Sequence, residues 1–584
     1  MLGECLEVFG SYTEEERERR ILDYYIPKPG SYILVGKNGE VISATDFKKG
    51  EINKSAVHFN EFCYYDYYSN LITMNKYLSN KIIHSNNYLC FWIKKENVSN
   101  KKLTREIIDE YYDVLEHPEK KWGKGKEQLS AYRKLEAELG KVDVEVLQRN
   151  RKWVQEHIFD MDNLDLQIDM GKKDYLKIFF EAEKVEYQRE GNRYFISNIY
   201  NNNDYNIIVN DEILGLPVNN MNMNKNKPFL SVKTRKVVPS YLLNKDDAIL
   251  QKQFFDYLLN FAMAGKQNVY IDMEKKKIMA FPNNEYPPES ISGLYLRIQR
   301  IKDAIEVVVY DQDVVPFFDN HLKKPFLYEN KLNVEDEKNP EYEFGKTCMT
   351  YKEIEELIND IFFSKKLVHN YFTEEREIKI TEETVKRMLL LSRRKLFGWL
   401  HLGNVAGMKG LLDQISKELI KSSISNEHML KAAKQLNLRL SLMQYFTEGG
   451  EDMADFSVEL RENLKTKIYS EEYVGLESDR EYYFAVGQLA RYFIYLNKTA
   501  KKKQSLINPF LNAGTDKKLK DLVGKYFKKY NYAISMGAKR VSRLYGMIEG
   551  YEPQEPVLQD MLSAGFVIDN LLLEGKEKEE QEDE

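Results

Sequence analysis

Cysteine is scarce in this 584-residue sequence, which contains only Cys5, Cys63, Cys90 and Cys348, far apart along the chain. No CxxC pair and no histidine at ligand spacing accompanies them, which excludes a zinc ribbon and argues against a disulfide scaffold. No apolar run is long enough to cross a membrane, and the N-terminus continues into a charged helix rather than a signal-peptide core. We therefore expect a cytoplasmic protein with no membrane contact, no metal and no cofactor.

Local catalytic motifs are also absent from the sequence. There is no Walker-type glycine loop, no GxSxG nucleophile elbow and no HD dipeptide. The acid pairs Asp160/Asp162 and Asp311/Asp313 have no adjacent histidine, so no local motif supports a metal-dependent nuclease. We predict that the protein is not an enzyme and has no catalytic residues.

One tetrapeptide, Gly449-Gly450-Glu451-Asp452, resembles the metal-binding turn of palm-domain polymerases and cyclases. That turn caps a β-hairpin, whereas the flanking segments LNLRLSLMQYF and FSVELRENL have patterns compatible with helices. A hinge between two helices is the ordinary explanation for the double glycine. A palm-type nucleotide polymerase or cyclase using Glu451 and Asp452 is kept as the alternative hypothesis.

The remaining composition is that of a soluble globular protein, with 43% hydrophobic residues, 30% charged residues and a formal net charge of -6. Strand and helix signals alternate in the first part of the chain, whereas nearly continuous helical periodicity begins at about Tyr351. We therefore predict a multidomain protein in which an N-terminal mixed α+β part precedes an all-α C-terminal helical bundle. The predicted domains are 1–350, with a charged helical insertion at about 100–160, then the bundle at 376–573, and an acidic disordered tail at 574–584.

Within the N-terminal part, a turn in GKNGE predicts a hairpin after the strand in YYIPKPGSYILV. Alternating residues at 175–209 predict strands with a turn at Glu190-Gly191-Asn192, and residues 246–263 form an amphipathic helical pattern. Strands are predicted again at 268–278 and 304–310.

The C-terminal bundle has several helix signals. Tyr482, Leu489 and Phe493 lie on one apolar stripe, Thr515 is the expected N-cap of the next helix, and Gly550 is the expected stop of the one after it. Pro556 is the expected start of a fourth helix. Short connections between such helices predict antiparallel neighbours.

This bundle is strongly basic although the whole protein is acidic. Between Leu489 and Tyr545 fourteen cations accompany only two acids, Asp516 and Asp521, a net charge of +12. A solvated helix surface is the ordinary explanation for a lysine run, but such a surface mixes both signs. The imbalance favours binding to a phosphate backbone, with base stacking by some of Tyr495, Tyr526, Phe527, Tyr530 and Tyr532. The predicted backbone-binding residues are Arg491, Lys498, Lys501, Lys502, Lys503, Lys517, Lys518, Lys525, Lys528, Lys529, Lys539, Arg540 and Arg543.

Residues 216–243 form an asparagine-rich, proline-interrupted stretch, LPVNNMNMNKNKPFLSVKTRKVVPSYLL. Asparagine is common in turns because it tolerates left-handed backbone conformations. Alternatively, asparagine amides and flanking cations can contact base edges and phosphates. The sequence leaves both interpretations open.

Several segments, taken in order, resemble the large subunit of the type I-B CRISPR effector complex, Cascade. They are YYIPKPGSYILV, DYYSNLITMNK followed by KIIHSNNYLCFWIKK, MNKNKPFLSVKTRKVVP, YYFAVGQLARYF, INPFL, YFKKYNYAI and DNLLLE, and together they span nearly the whole chain. The resemblance implies a non-enzymatic subunit whose N-terminal domain senses the protospacer-adjacent motif (PAM) and helps to open target DNA. It also implies a small-subunit-like C-terminal bundle along the RNA–DNA hybrid and the displaced strand.

The implied partners are a CRISPR guide RNA, double-stranded target DNA, and the other Cascade subunits, namely the backbone, guide-end-binding and small subunits. A separate helicase-nuclease would be recruited for cutting. The cysteine zinc ribbon of some relatives is missing here, as is a fused HNH nuclease signature. The candidate PAM-side residues are Asn86, Asn87, Asn219, Asn220, Asn222, Asn224, Lys225, Lys227, Lys233, Arg235 and Lys236.

In this family the small subunit can arise by internal translation within the large-subunit gene. Here Met453 directly follows Glu448-Gly449-Gly450-Glu451-Asp452, whose codons can spell a ribosome-binding site. We therefore predict Met453 as an internal start, giving a product of residues 453–584. A third hypothesis is a free-standing nucleic-acid-binding scaffold, which would bind DNA equally well without a guide RNA or partner subunits.

Overall fold

The computed structural model describes residues 1–23, 25–48, 54–69, 78, 80, 82–122, 126–164, 166, 168–196, 207–210, 212–215, 242–300, 307–336, 344–447, 456–497, 504–534 and 539–574. The chain forms two compact units. Unit 1 comprises Met1–Pro282 with Ser292–Val314, and unit 2 comprises Asn283–Ile291 with Val315–Glu584.

Unit 1 contains both helices and strands. Its helices are α1 (Leu2–Gly10), α2 (Glu14–Asp23), α3 (Phe59–Ser69), α4 (Lys95–Ser99), α5 (Arg105–Glu116), α6 (Glu119–Trp122), α7 (Lys126–Leu139), α8 (Val144–His157), α9 (Lys184–Ile196) and α10 (Lys245–Met263). Its strands are β1 (Gly30–Val35), β2 (Val41–Phe47), β3 (Cys90–Lys94), β4 (Tyr175–Phe180), β5 (Ile207–Val209), β6 (Glu212–Leu214), β7 (Asn268–Asp272), β8 (Lys277–Phe281), β9 (Ile291–Arg300) and β10 (Val307–Phe318), the last of which continues into unit 2.

The first sheet of unit 1 has the strand order β2-β1-β4-β3. Strands β1 and β2 form the hairpin predicted from GKNGE, and the Gly36 N–H donates to the Glu40 carbonyl at 2.8 Å. Strand β1 pairs in parallel with β4, so the chain must cross over between them. Helices α3 to α8 lie in that connection, and α5 to α8 occupy the charged insertion predicted at about 100–160.

A buried ion pair joins this sheet to α3. The Lys177 ammonium contacts the Asp66 carboxylate, and the Tyr25 hydroxyl donates to the same carboxylate at 2.8 Å. The ammonium also lies 4.1 Å from the centre of the Trp92 ring. Burial lowers the pKa of Lys177, which Asp66 partly opposes. Because removing one partner would leave a buried charge uncompensated, the pair holds α3 in one position on the sheet.

The second sheet has the order β10-β9-β7-β8. Helix α1 packs on β7 and β8, and α10 packs against α1 and α2. Helix α10 matches the amphipathic helix predicted at 246–263, with Asn244 as its N-cap. Of the strands predicted at 175–209, the structure contains β4 and β5. The strand pattern predicted within Lys184–Ile196 and the turn at Glu190-Gly191-Asn192 were wrong, because these residues form α9. The strand predicted at 268–278 is a hairpin of the two strands β7 and β8. Strand β9 was not predicted, because it contains Gly293 and a run of consecutive buried residues at 294–298 in place of an alternating pattern.

Unit 2 begins with a two-stranded sheet and is otherwise helical. Its elements are β11 (His321–Leu327), β12 (Thr347–Thr350), α11 (Tyr351–Ile361), α12 (Glu383–Leu402), α13 (Met408–Ser425), α14 (Met429–Tyr445), α15 (Phe456–Tyr469), α16 (Asp479–Tyr495), α17 (Asn508–Leu511), α18 (Asp516–Tyr530), α19 (Lys539–Gly550) and α20 (Gln559–Val567). This arrangement confirms the predicted order of a mixed α+β part followed by a helical part. The change to helices falls at Tyr351, whereas the compact units divide near residue 315.

Helix α16 is the centre of the C-terminal core. It packs against α15, α18, α19 and α20, and most of its residues are buried, including Tyr482, Leu489 and Phe493. Thr515 caps α18 as predicted, and α19 ends at Gly550 as predicted. Helix α20 starts at Gln559, three residues after the predicted Pro556.

Helices α16 and α20 approach each other through two glycines. A Cβ on Gly487 would lie 2.8 Å from the Phe566 nitrogen and against the Leu562 carbonyl oxygen. A Cβ on Gly565 would meet the Phe484 carbonyl oxygen. The two backbones are therefore in direct contact, and neither position has space for a side chain.

Among the helices of the described residues, none combines the length and the apolar character needed to cross a membrane.

Candidate nucleic-acid interface

Helix α18 presents a basic side to solvent. Leu519, Val523, Tyr526 and Tyr530 are buried, which leaves Lys517, Lys518, Lys525, Lys528 and Lys529 exposed on the other side. Helical geometry places Lys518, Lys525 and Lys529 within about 20° of one line along the axis, over a length of about 16 Å. This is the pattern predicted from the sequence: charges off the apolar stripe.

Helix α19 continues this basic surface. Its buried side contains Val541, Leu544, Met547 and Ile548, and its first turn exposes Lys539 and Arg540. The two helices are adjacent, because the Phe527 and Tyr545 rings stack with their centres 4.0 Å apart. We call the exposed cations of both helices the bundle basic face: Lys517, Lys518, Lys525, Lys528, Lys529, Lys539 and Arg540.

Few acids oppose the bundle basic face. Asp521 is exposed on α18 and Glu549 is exposed on α19. Within the described part of the chain, the side chains of Lys517, Lys518, Lys525 and Lys528 form neither an ion pair nor a hydrogen bond. These four ammonium groups can therefore meet phosphates without giving up a protein partner.

Two tyrosines that were candidates for base stacking belong to the core instead. Tyr526 and Tyr530 are buried, and the Lys529 ammonium lies 4.9 Å from the centre of the Tyr530 ring. Burial raises the pKa of Tyr526, so its hydroxyl stays neutral at physiological pH. Phe527 is half-buried against Tyr545, whereas Tyr532, two residues after the end of α18, is 70% exposed and can stack on a base.

Arg491 has a structural role that the charge pattern did not predict. Its guanidinium donates to the Val567 carbonyl at 2.9 Å, the Phe566 carbonyl at 3.2 Å and the Ile568 carbonyl, at the C-terminal end of α20. The last carbonyls of a helix have no partner within the helix, and a cation there also favours the helix dipole. Arg491 therefore caps α20 and is removed from the predicted backbone-binding set.

Arg543 is also engaged within the bundle. It is half-buried and donates to the Ile468 carbonyl at 2.9 Å and the Glu471 carbonyl at 3.4 Å. Arg540 stays exposed while its guanidinium lies 3.9 Å from the centre of the Tyr469 ring. One of its terminal nitrogens also donates to the Tyr469 hydroxyl at 2.9 Å and to the Glu574 carbonyl at 3.3 Å. Arg540 therefore contributes its positive charge to the surface while being held by protein partners.

Substituting Arg491 by Met should lower the stability of the protein without weakening its binding to nucleic acid. The change removes the three bonds to α20, so we expect the free energy of unfolding to fall by about 1.5–3 kcal/mol. Nucleic-acid affinity of the folded protein should be unchanged. Urea unfolding and fluorescence anisotropy measure the two quantities. Lys528→Met is the matched control, for which we expect weaker nucleic-acid binding and nearly unchanged stability. If Arg491→Met weakened binding without lowering stability, the capping role of Arg491 would be contradicted.

Asn86 and Asn87, which were predicted to lie on the PAM side, are in the interior of unit 1. Asn86 and Asn87 are each 2% exposed. Asn86 donates to the Ser69 carbonyl at 3.1 Å, and the Asn87 carboxamide oxygen accepts from the Leu89 N–H at 3.0 Å. In this conformation neither amide can contact a base edge, because both are buried and bonded to Ser69 at the end of α3, and Asn87 also to Leu89 just before β3. They are therefore left out of the proposed DNA contacts.

Many of the predicted residues lie outside the described residues. On the PAM side these are Asn219, Asn220, Asn222, Asn224, Lys225, Lys227, Lys233, Arg235 and Lys236. In the C-terminal part they are Lys498, Lys501, Lys502, Lys503, the internal-start candidate Met453, the acids Glu451 and Asp452, and residues 575–584 of the predicted acidic tail.

The described residues around the GGED tetrapeptide are helical. Helix α14 ends at Tyr445 and α15 begins at Phe456, as the hinge hypothesis predicted. A palm hairpin would require strands at these positions. In the described ranges no group of three or more His, Cys, Asp or Glu side chains is placed to hold a metal ion.

Searches of protein-family models, curated proteins and solved structures find no match to this chain.

Proposed function

We propose that the protein is the non-enzymatic large subunit of a cytoplasmic type I-B Cascade complex. In this role it recognises the PAM on double-stranded target DNA, helps to unwind that DNA and stabilises the guide RNA–DNA R-loop. The observation that carries the proposal is the bundle basic face, an exposed row of lysines on a protein with a net charge of -6. The sequence resemblance supplies the identity of the nucleic acid.

The geometry of α18 suits a sequence-independent contact. Lysine ammonium groups are point charges on flexible stems, so they attract phosphates without selecting a base. An array about 16 Å long can contact two to three successive phosphates of one strand, which are roughly 6–7 Å apart. A surface of this kind stabilises a hybrid or a displaced strand while guide pairing supplies the sequence specificity.

PAM reading is assigned to residues 219–236 of the asparagine-rich stretch, which combine amide groups with lysines and Arg235. Amides can bond base edges in either groove, and the cations can hold the flanking phosphates. The proposed partners are the guide RNA, the target DNA, the backbone, guide-end-binding and small subunits of Cascade, and the recruited helicase-nuclease.

Co-expression with a guide RNA and the other Cascade subunits tests this proposal. We expect the full chain to co-purify with the guide RNA in a stoichiometric complex, and we expect target DNA to bind that complex much more tightly than the isolated chain. Omitting the guide RNA is the control. If the isolated chain binds DNA as tightly as the assembled sample, the free-standing scaffold is the better explanation.

A further inference from the structure

The chain leaves the described fold directly beside the bundle basic face. Glu574 contacts Arg461 through one carboxylate oxygen, and its other oxygen lies 3.0 Å from the Lys465 ammonium. Its backbone carbonyl accepts a hydrogen bond of 3.3 Å from Arg540, in the first turn of α19. These contacts fix the point from which residues 575–584 begin.

Residues 575–584 are complementary in charge to this surface. They read GKEKEEQEDE, in which six acids outnumber two lysines for a net charge of -4. The bundle basic face contributes seven cations, and Asp521 and Glu549 are the acids exposed on the same two helices. Opposite charges attached to one chain attract each other more strongly than separate molecules do, because tethering raises the effective concentration to the millimolar range.

The segment is long enough to reach these cations. Ten residues span up to about 33–36 Å when extended. Helices α18 and α19, with 15 and 12 residues, are about 22 Å and 18 Å long. A chain that starts beside Arg540 can therefore follow either helix over its whole length.

We propose that residues 575–584 bind the bundle basic face and compete there with nucleic-acid phosphates. The inference rests on the proposed function of that face and adds its regulation. A short, weakly bound stretch of nucleic acid has to displace the tethered acids, whereas a long hybrid held by guide pairing displaces them readily. The segment thereby suppresses non-specific binding.

Binding of fluorescent single-stranded DNA and of an RNA–DNA hybrid tests the proposal by anisotropy. Three full-length chains are compared: the natural one, one with residues 575–584 replaced by an uncharged Gly/Ser sequence of equal length, and one with those residues in scrambled order. The Gly/Ser chain should bind single-stranded DNA about three- to tenfold more tightly at low salt, and this difference should shrink as salt screens both interactions. The scrambled chain should behave like the natural one, because the competition depends on charge and not on order.

Zero-length carbodiimide crosslinking with mass spectrometry supplies a readout of contact. We expect crosslinks from Glu577, Glu579 or Glu580 to Lys525, Lys528 or Lys539, and we expect added hybrid to remove them. An affinity gain without these crosslinks would mean a general field effect and would overturn docking. If all three chains bind equally, the competition is absent while the proposed function stands. If none binds nucleic acid, the proposed function itself fails.

Discussion

Reversing the charge of Lys525, Lys528 and Lys529 with glutamate should weaken nucleic-acid binding by at least about a hundredfold at low ionic strength. Each ammonium that neutralises a phosphate releases about one counterion, so the slope of log affinity against log salt should become shallower by about 3. The three side chains lie on the exposed side of α18, so the fold should stay intact, with a stability loss of about 0.5–1 kcal/mol from the lost contact of Lys529 with the Tyr530 ring. Anisotropy titrations over a range of salt concentrations measure both the loss and the slope.

The matched control changes three exposed lysines elsewhere on unit 2. Lys365→Glu, Lys379→Glu and Lys409→Glu alter the net charge of the protein by the same amount, and none belongs to the bundle basic face. We expect this variant to lose only a small part of the affinity. Equal losses in the two triple variants would show that net charge and not the α18 surface controls binding.

Gly487→Ala should destabilise unit 2 by about 3 kcal/mol or more. Its Cβ would press on the Leu562 carbonyl oxygen and the Phe566 nitrogen, which are backbone atoms and cannot rotate away. Overpacking a core typically costs about 1–3 kcal/mol, and two helices would have to separate here, so the upper end of that range is a lower bound. Urea unfolding followed by circular dichroism measures the change.

Gly546→Ala is the control for this substitution. Gly546 lies in the middle of α19, is exposed, and has no atom within 4 Å of the place that an alanine Cβ would occupy. Alanine should therefore raise the free energy of unfolding by about 0.5–1 kcal/mol, because it restricts the unfolded chain and favours the helix. If the free energy of unfolding falls for Gly487→Ala and rises for Gly546→Ala, the loss at Gly487 comes from the contact between α16 and α20. If Gly487→Ala instead raised the free energy of unfolding as Gly546→Ala does, the close approach of the α16 and α20 backbones would be refuted.

The sequence alone predicted the four main helices at the C-terminal end of the bundle, α16, α18, α19 and α20. An amphipathic period and a cap such as Thr515 are local signals, so they are visible without knowledge of the neighbouring helices. The basic side of α18 follows from the same period, because residues that are not on the apolar stripe must face away from the core.

The tertiary structure decided which polar residues are available on the surface. Arg491 is one of the fourteen cations between Leu489 and Tyr545. The end of α20, about 75 residues later, places three carbonyls against its guanidinium. In the sequence Asn86 and Asn87 have the pattern of a polar loop. In the structure both are buried, and both amides donate to Ser69 at the end of α3. Burial depends on elements that are distant along the chain, so no local pattern predicts it. The sequence therefore determined the helices and the charge of the bundle. Tertiary packing, by which the end of α20 binds Arg491 and the end of α15 binds Arg543, determined which of those charges remain for a nucleic acid.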